Sequence, residues 1–249
     1  LGEVKKAWYC NSGALYIMNR DITQHDNNWW IAVNHYRIPG TTVDTIPRET
    51  DRFEGVGMSP YAWVSSIDFD ETYGCAGFTN YNFYSTLNSL KSYFMFDDEI
   101  VCIGSGIKGG LKSIETTVQN RRVRKDNSNE FYVDNQKITD STFSAKEAKT
   151  AWLEGNIDGD SLAYYFPNGE KISYQNSERT ALAKEFWESM DISQTVTDNF
   201  SEIWIDHGVH PENGKYSYVI MPNKTREQLE KYAENPDIEI IQQDDTAHI

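Results

Sequence analysis

Three consecutive residues, His35-Tyr36-Arg37, are the part of this chain best equipped for chemistry. An imidazole and a phenol can move protons, and a guanidinium can clamp a carboxylate through two parallel hydrogen bonds. They lie within Trp29-Trp30-Ile31-Ala32-Val33-Asn34-His35-Tyr36-Arg37-Ile38-Pro39-Gly40-Thr41-Thr42, a run that reads as neither an ordinary helix nor an ordinary strand. Pro39 fixes its own φ and pushes Ile38 out of the helical region, while Gly40 tolerates the angle that a sharp turn needs. The same residues also suit a turn packed on the edge of a sandwich, with Arg37 paired to an internal acid and Asn34, His35 and Tyr36 lining the floor of a cleft.

Other candidates are more dispersed. Trp8, Trp29 and Trp30 offer rings on which a sugar face could stack, although tryptophans in a β-rich core also serve packing. Arg121, Arg122, Arg124 and Lys125 form the one dense basic cluster of an acidic chain. They could contact carboxylates of a ligand or neutralise nearby acids. His207, His210 and Lys215 border a loop that could reach a substrate. Asp206-His207 has no serine at a nucleophile elbow to complete a hydrolase triad. Asp44, Glu49 and Asp51 offer hard oxygen ligands near the Pro-Gly turn that could hold a structural Ca²⁺, but acidic surface loops are usually solvated, and no cofactor or metal site is expected. Cys10, Cys75 and Cys102 are odd in number and far apart, which suits small core residues better than a disulfide or zinc framework.

These side chains need a scaffold, and the composition suits an all-β one. The chain has 249 residues, 13% of them aromatic, so it can bury a sizeable core in one domain. A net charge of −15 argues against nucleic acid and anionic membranes as partners. No apolar run approaches the roughly 18–20 residues of a membrane-spanning helix, and the first residues show no signal-peptide core.

Residues 8 to 20 read as a strand, a turn at Asn11-Ser12-Gly13 and a returning strand. Further strands are expected at Tyr61–Ser66, Gly74–Asn80, Tyr84–Lys91, Ile114–Arg122, Trp204–His207 and Tyr216–Met221. Tyr93–Phe96 and Ile100–Ile103 flank an acidic turn, and Phe131–Val133 forms a hairpin with Asp134-Asn135-Gln136-Lys137. Ala151–Gly155, Leu162–Phe166 and Ile172–Tyr174 are short strands separated by Asp-Gly and Asn-Gly turns. Helix is expected as one turn over Ser144–Thr150 and, better supported, over Thr225–Asn235, with Pro236 beyond it. The sum is a large antiparallel β super-sandwich with one or two short helices.

Five runs in order give a more specific reading. Trp8-Tyr9 with Ser12-Gly13 and Tyr16 comes first, then Trp30 with Tyr36-Arg37-Ile38-Pro39-Gly40-Thr41-Thr42. Lys91-Ser92-Tyr93-Phe94-Met95-Phe96-Asp97-Asp98-Glu99-Ile100-Val101 is third. Thr116-Thr117 with Asn120-Arg121-Arg122 follows, then Ile205-Asp206-His207-Gly208 with Tyr216-Ser217-Tyr218-Val219 and Pro222. Together they resemble the central super-sandwich domain of polysaccharide lyase family 8, the hyaluronate, chondroitin and xanthan lyases, over nearly the whole chain.

The resemblance implies a carbon–oxygen lyase that cleaves uronate-containing glycans by β-elimination, with this chain, residues 1–249, as one domain forming a wall of the substrate cleft. It implies that the catalytic Asn, His, Tyr and Arg lie mainly on an upstream helical toroid, so that none is carried here and the isolated chain is inactive. A bracing Glu and Asn would fall upstream of Leu1, and a smaller β domain would follow. Candidate substrate-binding residues are then Trp8, Asn34, His35, Tyr36, Arg37, Arg121 and Arg122. The expected partners are an acidic polysaccharide and the helical domain of the same protein, in a secreted monomer. The face carrying Trp29 to Arg37 should be exposed and apolar where that helical domain would pack. The alternative is a carbohydrate-binding or structural module without chemistry.

Overall fold

The computed structural model describes residues 5–48, 59–82, 85–187 and 193–249. Near its start is a short helix, α1 (Asn27–Ala32), followed by β1 (Thr42–Asp44), β2 (Val64–Phe69), β3 (Tyr73–Tyr81), β4 (Asn88–Phe96) and β5 (Glu99–Lys108). Next come β6 (Ser113–Val123), β7 (Phe131–Val133), β8 (Gln136–Lys137) and β9 (Thr142–Leu153). The chain closes with β10 (Leu162–Leu182), β11 (Thr195–Val209), β12 (Gly214–Pro222) and α2 (Arg226–Glu234). The described strands form one antiparallel sheet in the order β1-β6-β11-β10-β12-β5-β4-β3-β2, with β9 also pairing with β10 and β7 bridging β9 and β8.

That sheet curls until its ends meet. Asn80 Nδ2 on β3 donates to the Thr42 carbonyl of β1 at 3.0 Å, and Lys91 Nζ on β4 donates to Thr42 Oγ1 at 2.8 Å. The main core fills the inside of the curl, with Cys102, Ile107, Val118, Tyr164, Ile203 and Tyr218 among its members. Outside, Leu229 of α2 covers Val101, Ile103, Ala163 and Val219. On another outer face, Trp29 and Ile31 of α1 pack with Val196 and Phe200 of β11. The expected super-sandwich is therefore present, as one sheet folded over itself.

Local expectations met mixed outcomes. The acidic hairpin joins β4 to β5, and Asp134 and Asn135, both at positive φ, turn β7 into β8. α2 matches its expected span, with Thr225 and Gln228 closing a capping box. Residues 8–20 contain no strand; they run as turns and irregular chain against the sheet. Trp29 and Trp30 sit on a helix, capped by the Asp26 carboxylate, which accepts from Trp29 N at 2.9 Å. Ser144–Thr150 lies inside β9 rather than in a helical turn. Pro167-Asn168-Gly169 does not separate two strands but forms a register shift within β10, where a bulge accommodates proline. Cys102 is buried as expected, Cys75 is half-buried, and Cys10 is exposed.

Lys91 locks the curl. It is fully buried on the inner face, donating to the Gly40 carbonyl at 2.6 Å and to Thr42, and its ammonium lies 5.3 Å from the Tyr216 ring centroid. Gly40 has φ +83°, and a Cβ there would come within 2.6 Å of the Gly13 carbonyl, so the turn admits only glycine. Burial lowers the Lys91 pKa to about 7. The unfolded chain then binds more protons than the folded one between about 7 and 10.5, so stability rises with pH across that window. Between about pH 7 and 9, below the ordinary range of tyrosine, the Lys91 contribution should rise by about 2 kcal/mol. Denaturant unfolding at both pH values should show that slope in the wild type and lose it in Lys91→Met. An identical slope in the two proteins would refute a depressed Lys91.

Candidate functional site

Trp8, Asn34, Tyr36 and Arg37 are brought together on one half-buried surface beside α1 and the paired strands β6 and β11. The Trp8 ring lies 5.4 Å from that of Tyr36 and 6.2 Å from that of His35. The Tyr36 hydroxyl accepts from Arg48 N at 2.7 Å, and Asn34 Oδ1 accepts from Tyr36 N at 3.2 Å. Two aromatic rings and an amide thus share this surface.

The structure gives His35 and Arg37 internal partners. His35 is 5% exposed and stacks on Phe186 at 5.1 Å, and burial lowers its pKa to about 3, with Lys6 and Arg179 adding to the effect. It is neutral in the folded protein. Arg37 Nε and Nη2 donate to the two Glu115 carboxylate oxygens at 2.8 and 3.1 Å, and Nη1 donates to Glu202 at 2.9 Å. Its guanidinium carbon stands 3.3 Å from the Trp204 ring centroid, and Asn34 Nδ2 reaches the same Glu202 oxygen at 3.3 Å. Those hydrogen bonds outweigh the cost of burial and raise the Arg37 pKa.

Arg121 and Arg122 belong to a different place. Arg121 is buried, donating to the Ile17 carbonyl at 3.1 Å and to Asn19 Oδ1 at 3.1 Å. Arg122 pairs with the α1 cap Asp26 and with Asp198, and donates to the Thr23 carbonyl at 2.6 Å. Both staple the irregular N-terminal segment to β6. Trp29 is fully buried, Trp30 is half-buried, and Ile31, Ala32 and Val33 are each 1% exposed. The expected exposed apolar face is therefore not at α1, because the aromatic residues there close the molecule's own second core. Exposed apolar side chains are found singly elsewhere, Met18, Ile22, Leu111 and Ile241 among them, and as a group, Trp63, Val64, Ile67 and Phe69, around β2.

Sequence reasoning missed Tyr9 and Arg48. Arg48 Nε donates to the Tyr9 hydroxyl at 3.3 Å and Nη2 to Asn82 Oδ1 at 3.3 Å, placing a cation next to the Trp8–Tyr36 surface. Tyr9 stays protonated, its pKa pushed up to about 12 mainly by burial. Only Pro47 ahead of Arg48 hinted at a fixed position there.

His207 Nε2 is 2.8 Å from Thr116 Oγ1, which is in turn 2.8 Å from Thr42 Oγ1, so this histidine ends a buried polar chain that begins at Lys91. His210 faces the Gly110 carbonyl and Lys215 donates to the Gln243 carbonyl. For the calcium expectation, Asp44 is buried on β1, and Glu49 and Asp51 lie outside the described residues. Among the described residues no three His, Cys, Asp or Glu side chains are placed to hold a metal.

The fold and the ordered motifs have direct counterparts. Residues 1–233 match polysaccharide lyase family 8, super-sandwich domain. The chain belongs to this family. A xanthan lyase from Bacillus sp. strain GL1 is 37% identical over 247 residues, covering 96% of this chain and 26% of that protein. A hyaluronate lyase from Staphylococcus aureus is 28% identical and covers 100% of this chain and 30% of its own. Among solved structures, a Paenibacillus xanthan lyase superposes with a TM-score of 0.91 at 32% identity, over 98% of this chain and 24% of the other. A Streptomyces coelicolor chondroitin AC lyase in complex with chondroitin sulphate gives 0.80 at 26% identity, over 99% and 31%. The chain thus spans about a quarter to a third of the length of these relatives and corresponds to their super-sandwich domain. No described helix is long and apolar enough to cross a membrane.

Proposed function

We propose that this chain is the central β domain of a lyase that cleaves uronate-containing glycans by β-elimination, and that it forms one wall of the substrate cleft. The observation that carries this reading is the family match along almost the whole chain at only a quarter of the relatives' length. The chemistry agrees with it. Removing the C5 proton of a uronate needs the neighbouring carboxylate neutralised and a base within hydrogen-bond reach. In the described part of the domain, His35 is buried and Arg37 is held by two carboxylates. Trp8, Asn34 and Tyr36, with Arg48 beside them, then position the sugar, while the acid, base and neutralising donors come from a helical region of the same protein. The partner is an acidic polysaccharide, and the whole protein is an extracellular monomer.

The test is to incubate the 249-residue chain and the longer protein that contains it with hyaluronan, chondroitin sulfate and xanthan. The readout is the ultraviolet absorption of the new C4–C5 double bond. The isolated chain should give no signal and the longer protein a steady increase on at least one substrate. Absorption growing with the isolated chain would overturn the division of labour, and silence from both would overturn the lyase reading.

A further inference from the structure

Among the described residues no helix covers the outer face of β2, β3 and β4, in contrast to the faces beneath α1 and α2. It forms an open groove of about 540 Å³, walled on one side by the C-terminal turn at residues 245–248. The register puts Ser65, Gly77 and Ser92 side by side across the three strands, with Ile67, Cys75 and Phe94 in the next row. Trp63 leads into β2 and is 49% exposed. Its ring lies against Gly77, where a Cβ would come within 2.8 Å of it, so the missing side chain is what lets the indole rest on the sheet.

The wall of the groove is held firmly. His248 Nδ1 and Nε2 lie 2.8 and 2.7 Å from the hydroxyls of Ser92 and Ser105, one on each adjacent strand. The Asp244 carboxylate accepts from the backbone of Thr246 and Ala247 at 2.8 and 3.0 Å, which fixes the turn between them. An aromatic platform, hydroxyls from Ser65 and Thr79, and the Asp245 carboxylate thus face one concavity, and among the described residues no lysine or arginine lines it. Pyranose rings present a C–H face to an indole and hydroxyl donors to a carboxylate. The Asp245 carboxylate in the lining, with Asp244 in the same turn, disfavours uronate and sulfate groups.

We propose that this groove is a second glycan-binding site, separate from the Trp8–Tyr36 surface, and that it takes neutral pyranosyl units with Trp63 as its stacking platform. It deepens the reading of the protein as a polysaccharide lyase by assigning a hold on uncharged stretches of the polymer. Such a hold raises the effective concentration of the chain at the cleft without any new catalytic contact.

The experiment is calorimetric titration of the 249-residue chain with cellohexaose, a neutral probe, and with a hyaluronan hexasaccharide as its charged counterpart. Cellohexaose should bind saturably and with little dependence on salt. Trp63→Ala should weaken it at least tenfold, and Gly77→Val, which would push the indole off the sheet, should do the same. Thermal unfolding of Trp63→Ala at the wild-type temperature establishes that the fold is intact. The proposal is overturned by the absence of cellohexaose binding, by equal binding to Trp63→Ala, or by preference for the charged hexasaccharide. Trp63-dependent dimerisation through the open β2 edge would also overturn it, since a second copy would then be the occupant. If the longer protein lacks lyase activity while cellohexaose binding persists, only the lyase reading fails. If lyase activity is present without Trp63-dependent binding, only the groove proposal fails.

Discussion

Replacing Arg37 by methionine is expected to destabilise the domain by about 3–5 kcal/mol, the range for removing one partner of a buried ion pair. Glu202 is 1% exposed and Glu115 8%, so neither carboxylate can recover water when the guanidinium goes. The bidentate contact to Glu115 and the stacking on Trp204 add geometry that an ammonium lacks, so Arg37→Lys should also lose stability. Because the cost comes mainly from stranded acids, Arg37→Met combined with Glu202→Gln should recover part of it. A double-mutant cycle from urea unfolding reads that recovery as a coupling energy. Independence of the two substitutions, or a stable Arg37→Met protein that merely binds glycan poorly, would show Arg37 acting on the ligand rather than within the domain. The distinction matters because Arg37 shares its surface with Trp8, Asn34 and Tyr36, and activity loss alone would not separate the two roles.

Much of this architecture is legible from residue order, and the exceptions have physical causes. Alternation and polar turns located most strands because each has one face in a core, and Thr225 ahead of Leu229, Tyr232 and Ala233 on one face, with Pro236 beyond, marked α2. Residues 8–20 imitate a strand for a different reason. Leu15 and Ile17 pack on the core inside the curl while Ala14 and Tyr16 pack on the core around α1, so apolar contacts recur without any ladder. Ser144–Thr150 holds Ala, Lys and Glu, good helix formers, yet pairing with β10 overrides that preference. The signal for α1 was present in Asp26, three residues before Trp29, but the Pro-Gly turn downstream obscured it. At the site, sequence identified the His35–Arg37 run but not which side chains point inward. That choice depends on Glu115, Glu202 and Phe186, brought close only when the sheet closes on itself.

Closure also sets how the domain should respond to acid. Between pH 7 and 4.5 it is expected to lose roughly 5 kcal/mol of stability, enough to unfold many domains of this size. Three histidines are neutral: buried His35 with its pKa lowered to about 3, and half-buried His25 and His207 with theirs lowered to about 4. Burial is the leading cause for each, reinforced by Arg121 at His25 and opposed by Asp206 at His207. The unfolded chain protonates them near pH 6.5 and the folded chain does not, so their stabilisation is present above 6.5 and lost as pH falls through 4. Glu170 works in the opposite direction. Burial raises its pKa to about 7, so its contribution is complete below 4.5 and disappears as pH rises through 7. The three histidines outweigh that single carboxyl by about 5 kcal/mol at one proton per group. Denaturant titrations across this range should show the fall, and His35→Phe, which preserves stacking on Phe186, should flatten it by about 2–3 kcal/mol. A variant as acid-sensitive as the wild type would mean that His35 accepts a proton within the folded state. His35 would then be a group that exchanges protons with solvent, and the case for a proton-transfer role in the His35-Tyr36-Arg37 run would have to be reopened.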